Sequence, residues 1–420
     1  MLANASMPLV GMVDTAVVGH LPDPAYIGAV AIGAVVFHFL QWMFAFLRMG
    51  TTGFVAQSLG ANDAAEINAT TLRATLIVGI FGTLILLLKG PLVALSLGVV
   101  DASDAVTTAA DEYLSIRLWS APAALANLAL LGLLFGLQRM RDALWVQLVL
   151  NLTNMVLDLF FVLVLDWGVA GVAWATCIAE YAAVAYGLWV ARRALKELGG
   201  RWRNLGVLNR ERLRGLLVVN FNIFIRTLAV QITFFSFTTF GARQGDVTLA
   251  ANAVLLHLFT LVSSALDGFA FAVEALAGNA FGAKKPRVLR AITLSGALFS
   301  GLAGASFVLG YALFGMDIAG LMTNVPEVLS EAEHFMLWVI VSPMVSVWCF
   351  LLDGVYFGTT RTKEVRDSML ISMIIFFACV FLLTPSMGNH GLWLAVLIFM
   401  AARAAFLAAW YPKVEAAAAS

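Results

Sequence analysis

Residues 8–20 read PLVGMVDTAVVGH, an apolar run with a single carboxylate, Asp14, in its middle. If this run crosses a lipid bilayer, the carboxylate lies where an ionised group costs about 2.5–3.5 kcal/mol to place. A residue in that position requires a partner, a proton or a functional role. We therefore expect Asp14 to bind and release a cation inside a cavity that the other helices enclose.

The composition of the chain is that of a membrane protein. Apolar residues make up 61% of the 420 residues and charged residues only 12%, whereas soluble domains usually carry about 25% charged residues. The formal net charge is zero, so nucleic acid is not an expected partner. Cys177, Cys349 and Cys379 lie in apolar runs and are interpreted as core residues, not as a disulfide or metal framework.

Twelve apolar runs are long enough to cross about 30 Å of hydrocarbon. Helices are expected, because an open sheet cannot satisfy its backbone in lipid. We therefore predict an all-α, polytopic membrane protein with twelve transmembrane helices. The runs lie near 2–20, 27–49, 70–97, 113–136, 143–165, 168–191, 214–240, 249–278, 290–314, 334–357, 367–384 and 390–411.

Positive charge is concentrated in the loops that follow the even-numbered runs. Most of the 25 Lys and Arg residues lie there, whereas the loops after odd-numbered runs carry Lys89, Arg117 and Arg243 and are otherwise acidic. Cytoplasmic loops of membrane proteins carry the excess of positive charge. Both termini and the basic segment 192–213 are therefore predicted to be cytoplasmic.

Short motifs of the first half of the chain recur in the second half at a nearly constant offset. Residues 59–61 (LGA) match 281–283 (FGA), and Phe135-Gly136 matches Phe357-Gly358. Because each half has six runs, both halves enter the membrane from the same face. We predict two pseudo-symmetric six-helix lobes, residues 1–191 and 214–420, joined by a cytoplasmic linker at 192–213. Parallel repeats of this kind are typical of secondary transporters with a central site.

Six acidic residues lie within the predicted helices: Asp14, Asp158, Glu180, Asp267, Glu274 and Asp353. The spacing of Asn151, Asn154 and Asp158 places them on one helix face, and Thr176 and Glu180 share a face of the next helix. Carboxylate, amide and hydroxyl oxygens from several helices suit a hard cation such as Na⁺, or a shared proton. These acids are therefore candidates for ion coupling.

A structural interpretation of the same acids stays open, in which they only hydrogen-bond neighbouring helices. Arg48, Arg226 and Arg403, at or inside the ends of predicted helices, are interpreted as snorkelling or paired structural cations rather than substrate contacts. The five His residues show no ligand spacing. No metal site is predicted beyond a possible Na⁺ site.

The motif at residues 8–21 resembles the first-helix motif of multidrug and toxic compound extrusion (MATE) transporters. Further similar stretches are LRMGTTG at 47–53, SAPAALAN at 120–127, ALDGFAFAVEA at 265–275 and LLDG at 351–354. The combination is similar to the DNA-damage-inducible-F subfamily, and the similarity runs from Asn4 to Trp410. The resemblance implies two six-helix lobes around a V-shaped cavity, working by alternating access as a drug/H⁺ or drug/Na⁺ antiporter without a cofactor.

The resemblance also implies which residues bind the coupling ion. The N-lobe site falls on Asp14, Asn154, Asp158 and Thr176. The family's C-lobe acids fall on Glu274 and Asp353, while Glu180 and Asp267 are further candidates for the substrate cavity or for secondary coupling. Asp14 lies very close to the start of this sequence, so we expect either that the start is mis-assigned or truncated or that the first helix begins later than in similar proteins.

The predicted function is export of amphipathic, often cationic drugs or toxic compounds across a bacterial inner membrane, by a monomer, in exchange for H⁺ or Na⁺. A lipid-linked-precursor flippase of the wider superfamily is the nearest alternative, although flippases favour cavity Arg and Lys and the mid-helix charges here lean acidic. An enzyme is not predicted, because no paired catalytic motif is found. Only the flux per molecule would distinguish a carrier from a channel.

Overall fold

The structure is a computed structural model that describes residues 24–98, 103–199 and 206–419. Within these ranges the chain is almost entirely helical and contains no strand. The prediction of an all-α polytopic membrane protein is confirmed. Asp14 and the predicted first helix at 2–20 lie outside the described residues.

Eight α-helices lie between residues 24 and 199. They are α1 Pro24–Met43, α2 Phe46–Gly60, α3 Ala64–Leu87, α4 Lys89–Gly98, α5 Asp104–Arg117, α6 Ala121–Gly136, α7 Met140–Asp158 and α8 Gly168–Glu197. A 3₁₀ turn, Leu118–Ser120, joins α5 to α6, and a π-helical segment, Leu159–Val164, follows α7 directly.

Six longer helices lie between residues 206 and 419. They are α9 Arg210–Ala242, α10 Asp246–Gly282, α11 Pro286–Met322, α12 Pro326–Gly358, α13 Thr362–Met387 and α14 Asn389–Ala417. Helices α11 and α12 begin with proline, whose missing N–H costs nothing in the first turn of a helix.

Eleven helical stretches of the described chain are long and apolar enough to cross a membrane. They correspond to the second to twelfth predicted runs. Large apolar side chains such as Leu87, Phe235 and Leu321 are exposed on helix surfaces, as expected for faces that contact lipid.

The third predicted run, 70–97, differs from its prediction because it is divided at Leu88 into α3 and α4. Proline lacks a backbone N–H, and its ring clashes with the carbonyl four residues earlier in a helix. Pro91 therefore disfavours a continuous helix across Leu87 and Leu88.

The chain divides into two compact units between Leu216 and Leu217. We call the parts on either side the N-terminal unit and the C-terminal unit. Val55, Ile67 and Leu133 belong to a core of the first unit. A larger core in the second unit contains Phe237 and Trp393, whose rings pack edge to face with centroids 4.9 Å apart.

Glycines bring α2 and α6 together in the N-terminal unit. A Cβ added at Gly132 would lie 2.6 Å from the carbonyl oxygen of Arg48, and one at Gly136 would lie 2.9 Å from that of Thr52. These distances leave no room for a side chain. The two helices therefore approach at backbone distance, as small residues permit in membrane helix packing.

The C-terminal unit repeats this contact between α10 and α12. A Cβ at Gly354 would lie 2.5 Å from the carbonyl oxygen of Ala270, and one at Gly358 would collide with that of Glu274. Gly354 and Gly358 are the counterparts of Gly132 and Gly136 in the sequence repeat. The sequence repeat is thus a repeat of helix packing.

The chain turns at the ends of these helices repeat as well. Asn62 and Lys284 have φ of 57° and 55°, and Gln138 and Thr360 have φ of 60° and 54°. Each pair has the same sequence offset as the paired glycines. A left-handed residue just past a helix end is a common way to stop a helix, so the four helices end in the same way in both units.

Candidate functional site

Two adjacent helices of the N-terminal unit bring together three predicted ion-coupling residues. Asn154 and Asp158, one turn apart on α7, are 0% exposed, and Thr176 on α8 is also buried. The Nδ2 group of Asn154 donates a hydrogen bond of 3.1 Å to Thr176 Oγ1. The Thr176 hydroxyl donates in turn to the carbonyl oxygen of Val172 at 2.9 Å.

The amide oxygen of Asn154 is the part of this cluster that fits a cation. Asn154 Oδ1 is buried and accepts no hydrogen bond from any described residue. Together with the Asp158 carboxylate and the Thr176 hydroxyl, it offers the oxygen ligands that hard cations prefer. Asp14, predicted to complete this cluster, lies outside the described residues.

The helix changes its winding directly after Asp158. Residues 159–164 form a π-helix, and the N–H of Leu165 donates to the carbonyl of Phe160, five residues earlier, at 3.1 Å. Short π-helical segments occur mostly at functional sites. The irregular turn therefore begins at the buried carboxylate.

Glu180 lies one turn along α8 from Thr176 and is held by two other helices. Asn127 of α6 donates from Nδ2 to Glu180 Oε2 at 2.6 Å and to the Glu180 carbonyl at 3.1 Å. Arg117, the last residue of α5, forms an ion pair with Glu180 at 3.6 Å between Nη2 and Oε1. The buried acid therefore has a fixed counter-charge.

Arg117 is itself buried and held on two further sides. Its guanidinium lies over the ring of Phe37 at 3.6 Å from the centroid and donates to Ser120 Oγ. Sequence analysis counted Arg117 among loop charges, but it lies within a continuous helical span, Asp104–Gly136. The SAPAALAN motif, which starts at Ser120 and ends at Asn127, was the sequence signal closest to Arg117.

In the C-terminal unit, one carboxylate binds two arginines. Arg226 of α9 and Arg403 of α14 both donate from Nη2 to Asp353 Oδ2 of α12, at 2.6 and 2.7 Å. All three residues are buried. This geometry agrees with the interpretation of Arg226 and Arg403 as paired cations.

The other two predicted acids of this unit lie on α10. Glu274 is buried, beside the glycine contact with α12. Asp267 is half-buried and attracts the guanidinium of Arg403 electrostatically. Asp267 thus adds a second negative charge near Arg403.

The described residues contain no group of three or more His, Cys, Asp or Glu side chains arranged to hold a metal ion. The candidate ion ligands on α7 and α8 are the side-chain oxygen atoms of Asn154, Asp158 and Thr176.

Comparison with known proteins gives consistent matches along the chain. The profile of the MatE family matches residues 1–160 and 223–385. DNA damage-inducible protein F of Escherichia coli strain K12 is 42% identical over 97% of this chain and 88% of that protein. Multidrug export protein MepA of Staphylococcus aureus strain NCTC 8325 is 21% identical over 95% of this chain and 88% of its own length.

A solved structure shares the fold. The crystal structure of MATE in the bent conformation matches 99% of this chain and 93% of its own, with a TM-score of 0.89 at 20% identity. The helical fold and the matches define the class of the protein, which is a membrane transporter and not an enzyme. The chain belongs to the MatE family, whose members transport small molecules, and the predicted resemblance is confirmed.

Proposed function

We propose that the protein is a secondary active multidrug efflux antiporter that exports amphipathic or cationic organic compounds in exchange for H⁺ or Na⁺ by alternating access. It acts as a monomer in the bacterial inner membrane, with both termini in the cytoplasm. Its lobes are residues 1–191 and 214–420, with 192–213 as the linker. The similar protein MepA of Staphylococcus aureus is a multidrug export protein, which supports the substrate class.

The observation that carries this proposal is the hydrogen bond between Asn154 and Thr176 beside the fully buried Asp158. A carboxylate in the membrane is costly unless it binds a cation or a proton. The hydrogen bond points the Asn154 amide nitrogen at Thr176, and the amide oxygen stays available for a ligand. In the proposal, Asp14 is the principal exchanger and these three residues are its co-ligands.

The arginine pair in the C-terminal unit makes Asp353 the weaker candidate for ion coupling. Two guanidinium groups bind its Oδ2 atom, and their positive charges repel a cation that approaches the carboxylate. In the proposal, Asp353, Asp267 and Glu274 shape the substrate cavity, and Glu180 contributes to secondary coupling.

Transport in everted membrane vesicles tests the assignment. An imposed H⁺ or Na⁺ gradient, each applied separately, should drive uptake of a cationic dye by the wild type. Asp14→Asn and Asp158→Asn should reduce this uptake to the level of vesicles without the protein, because each removes a charged ligand. Asp111→Asn, which changes an exposed acid on α5, is the matched control and should transport normally.

Normal gradient-driven uptake by folded Asp158→Asn protein would show that Asp158 is not part of the coupling site. The ion whose gradient drives uptake in the wild type identifies the coupling ion. Uptake that neither gradient drives would contradict antiport itself.

The buried arginine pair is the one observation that favours a lipid-linked-precursor flippase, because flippases bind pyrophosphate through basic residues. The pair is offset by Asp353 and Asp267, which leaves little positive charge for a pyrophosphate group. Translocation of a fluorescent lipid-linked pyrophosphate in proteoliposomes would support the flippase, and translocation of dye alone would support the antiporter.

A further inference from the structure

A row of polar side chains, which we call the file, lies along one face of α8. It consists of Thr176 and Glu180 and of the two asparagines that bind them, Asn154 and Asn127. Thr176 and Glu180 are four residues apart on this helix, so their side chains are neighbours. Each is bound by an asparagine from a different helix: Asn154 of α7 donates to Thr176, and Asn127 of α6 donates to Glu180. The file therefore extends the proposed ion site by one helical turn.

Both asparagines offer an oxygen that no described residue uses. The Oδ1 atoms of Asn127 and Asn154 are buried and accept no hydrogen bond from the described part of the chain. Each nitrogen is engaged on α8, which fixes the direction of its amide group. The carboxylate of Glu180, which binds Asn127, lies one helical turn along α8 from Thr176.

Arg117 closes this file with a fixed positive charge. Its Nη2 atom lies 3.6 Å from Glu180 Oε1. Ser120 and the face of Phe37 hold the guanidinium as well. These two contacts therefore keep the charge of Arg117 in place when Glu180 is neutralised.

We propose that Arg117 is a tethered cation that stops the coupling ion from passing beyond the Asn154–Asp158–Thr176 site. This inference rests on the proposed ion exchange at that site. A fixed arginine excludes cations from narrow membrane pathways by repulsion, and repulsion is strong where the dielectric constant is low. The ion is consequently exchanged at the site and does not leak across the membrane.

A purely structural ion pair makes a different prediction, and four variants separate the two. Arg117→Gln removes the positive charge, Glu180→Gln removes the negative charge, the double variant removes both, and Arg117→Lys keeps the positive charge. Lys89→Gln is the control, because Lys89 is another cation of the same unit, bound to the Ser115 carbonyl at 2.9 Å and outside the file.

The measurement uses the full-length protein in liposomes without substrate, under an inside-negative potassium diffusion potential. Influx of H⁺ is followed with an internal pH dye and influx of Na⁺ with a radioactive tracer, in separate experiments. Arg117→Gln and the double variant should leak the coupling ion about tenfold faster than wild type, which corresponds to about 1.4 kcal/mol of barrier. Glu180→Gln should leak no faster than wild type, because Arg117 is still present, and Arg117→Lys and Lys89→Gln should stay at the wild-type level.

Wild-type leak in the folded double variant would overturn the inference, as would a leak that follows the loss of Glu180 with Arg117 intact. The double variant carries the test if Arg117→Gln alone does not fold, because it leaves no uncompensated charge. A wild-type protein without ion-driven substrate exchange would overturn the proposed function, and this inference with it. Intact exchange with unchanged leak in the variants would overturn this inference alone.

Discussion

One contact between side chains differs sharply between the two units, although the helices that carry it are counterparts in the sequence repeat. In the N-terminal unit Asn127 donates to the carboxylate of Glu180 at 2.6 Å. The counterparts of these two residues in the sequence repeat are Cys349 and Met400, and in the C-terminal unit their sulfur atoms lie 3.8 Å apart. The same helix pairing thus presents a charged contact in one unit and a sulfur contact in the other.

The buried charges indicate that the repeat constrains the backbone and not the chemistry. The counterpart of Arg117 in the C-terminal unit is Val339, and the counterpart of Asp353 in the N-terminal unit is Leu131. In each unit, the buried ion pair therefore includes a residue whose counterpart in the other unit is apolar. Glycine contacts, in contrast, recur at equivalent positions because any side chain there would meet backbone.

The largest stability difference between the units is expected from neutralising their acids. Asp353→Asn leaves two buried arginines without their counter-charge, and we expect a loss of about 3–5 kcal/mol. Glu180→Gln leaves one arginine, which Ser120 and Phe37 still hold, and should cost less. Thermal unfolding of the purified variants in detergent measures both, and a more damaging Glu180→Gln would reverse the comparison.

The glycine contact of the C-terminal unit tests how tight the repeated packing is. Gly358→Ala places a Cβ against the Glu274 carbonyl, and overpacking of this kind costs about 1–3 kcal/mol. Gly310→Ala is the matched control, because a Cβ at this position of α11 meets nothing within 4 Å. Thermal unfolding should separate the two variants, and equal stability would show that α10 and α12 can move apart without cost.

The smallest effect is expected at an ion pair that both units share. Arg139 binds Asp142 at 3.2 Å, and Arg361 binds Glu364 at 2.8 Å, each three residues apart at the start of a helix. Both pairs are partly exposed to solvent, so Asp142→Asn and Glu364→Gln should each cost about 1 kcal/mol or less. Unfolding in low and high salt checks this, since screening should remove the difference from wild type.

Sequence alone predicted the helices and the acids within them, because apolar runs of sufficient length have few alternatives in a membrane. Helical spacing also placed Asn154 and Asp158 on one face, whereas the grouping of Thr176 with them came from the resemblance to MATE transporters. Sequence analysis did not predict the division at Leu88, although Pro91 carried that signal. Helix ends depend on local backbone chemistry that a hydropathy pattern does not register.

The ion-pair partners could not be predicted in the same way. Arg117 and Glu180 lie on helices that are not consecutive in the chain, and so do Arg226 and Asp353. Hydropathy shows that such residues need partners but does not say which helices are adjacent. The packing of α5 and α6 against α8 decides that Asn127 and Arg117 reach Glu180.

The contact between α10 and α12 has a geometric consequence for the C-terminal unit. Gly354 and Gly358 contact carbonyl groups of the opposite helix. If one helix slid along the other, main-chain atoms of the two helices would therefore clash. Glu274 belongs to one of these helices and Asp353 to the other. The distance between the Cα atoms of these two acids is therefore set by the contact between the two main chains.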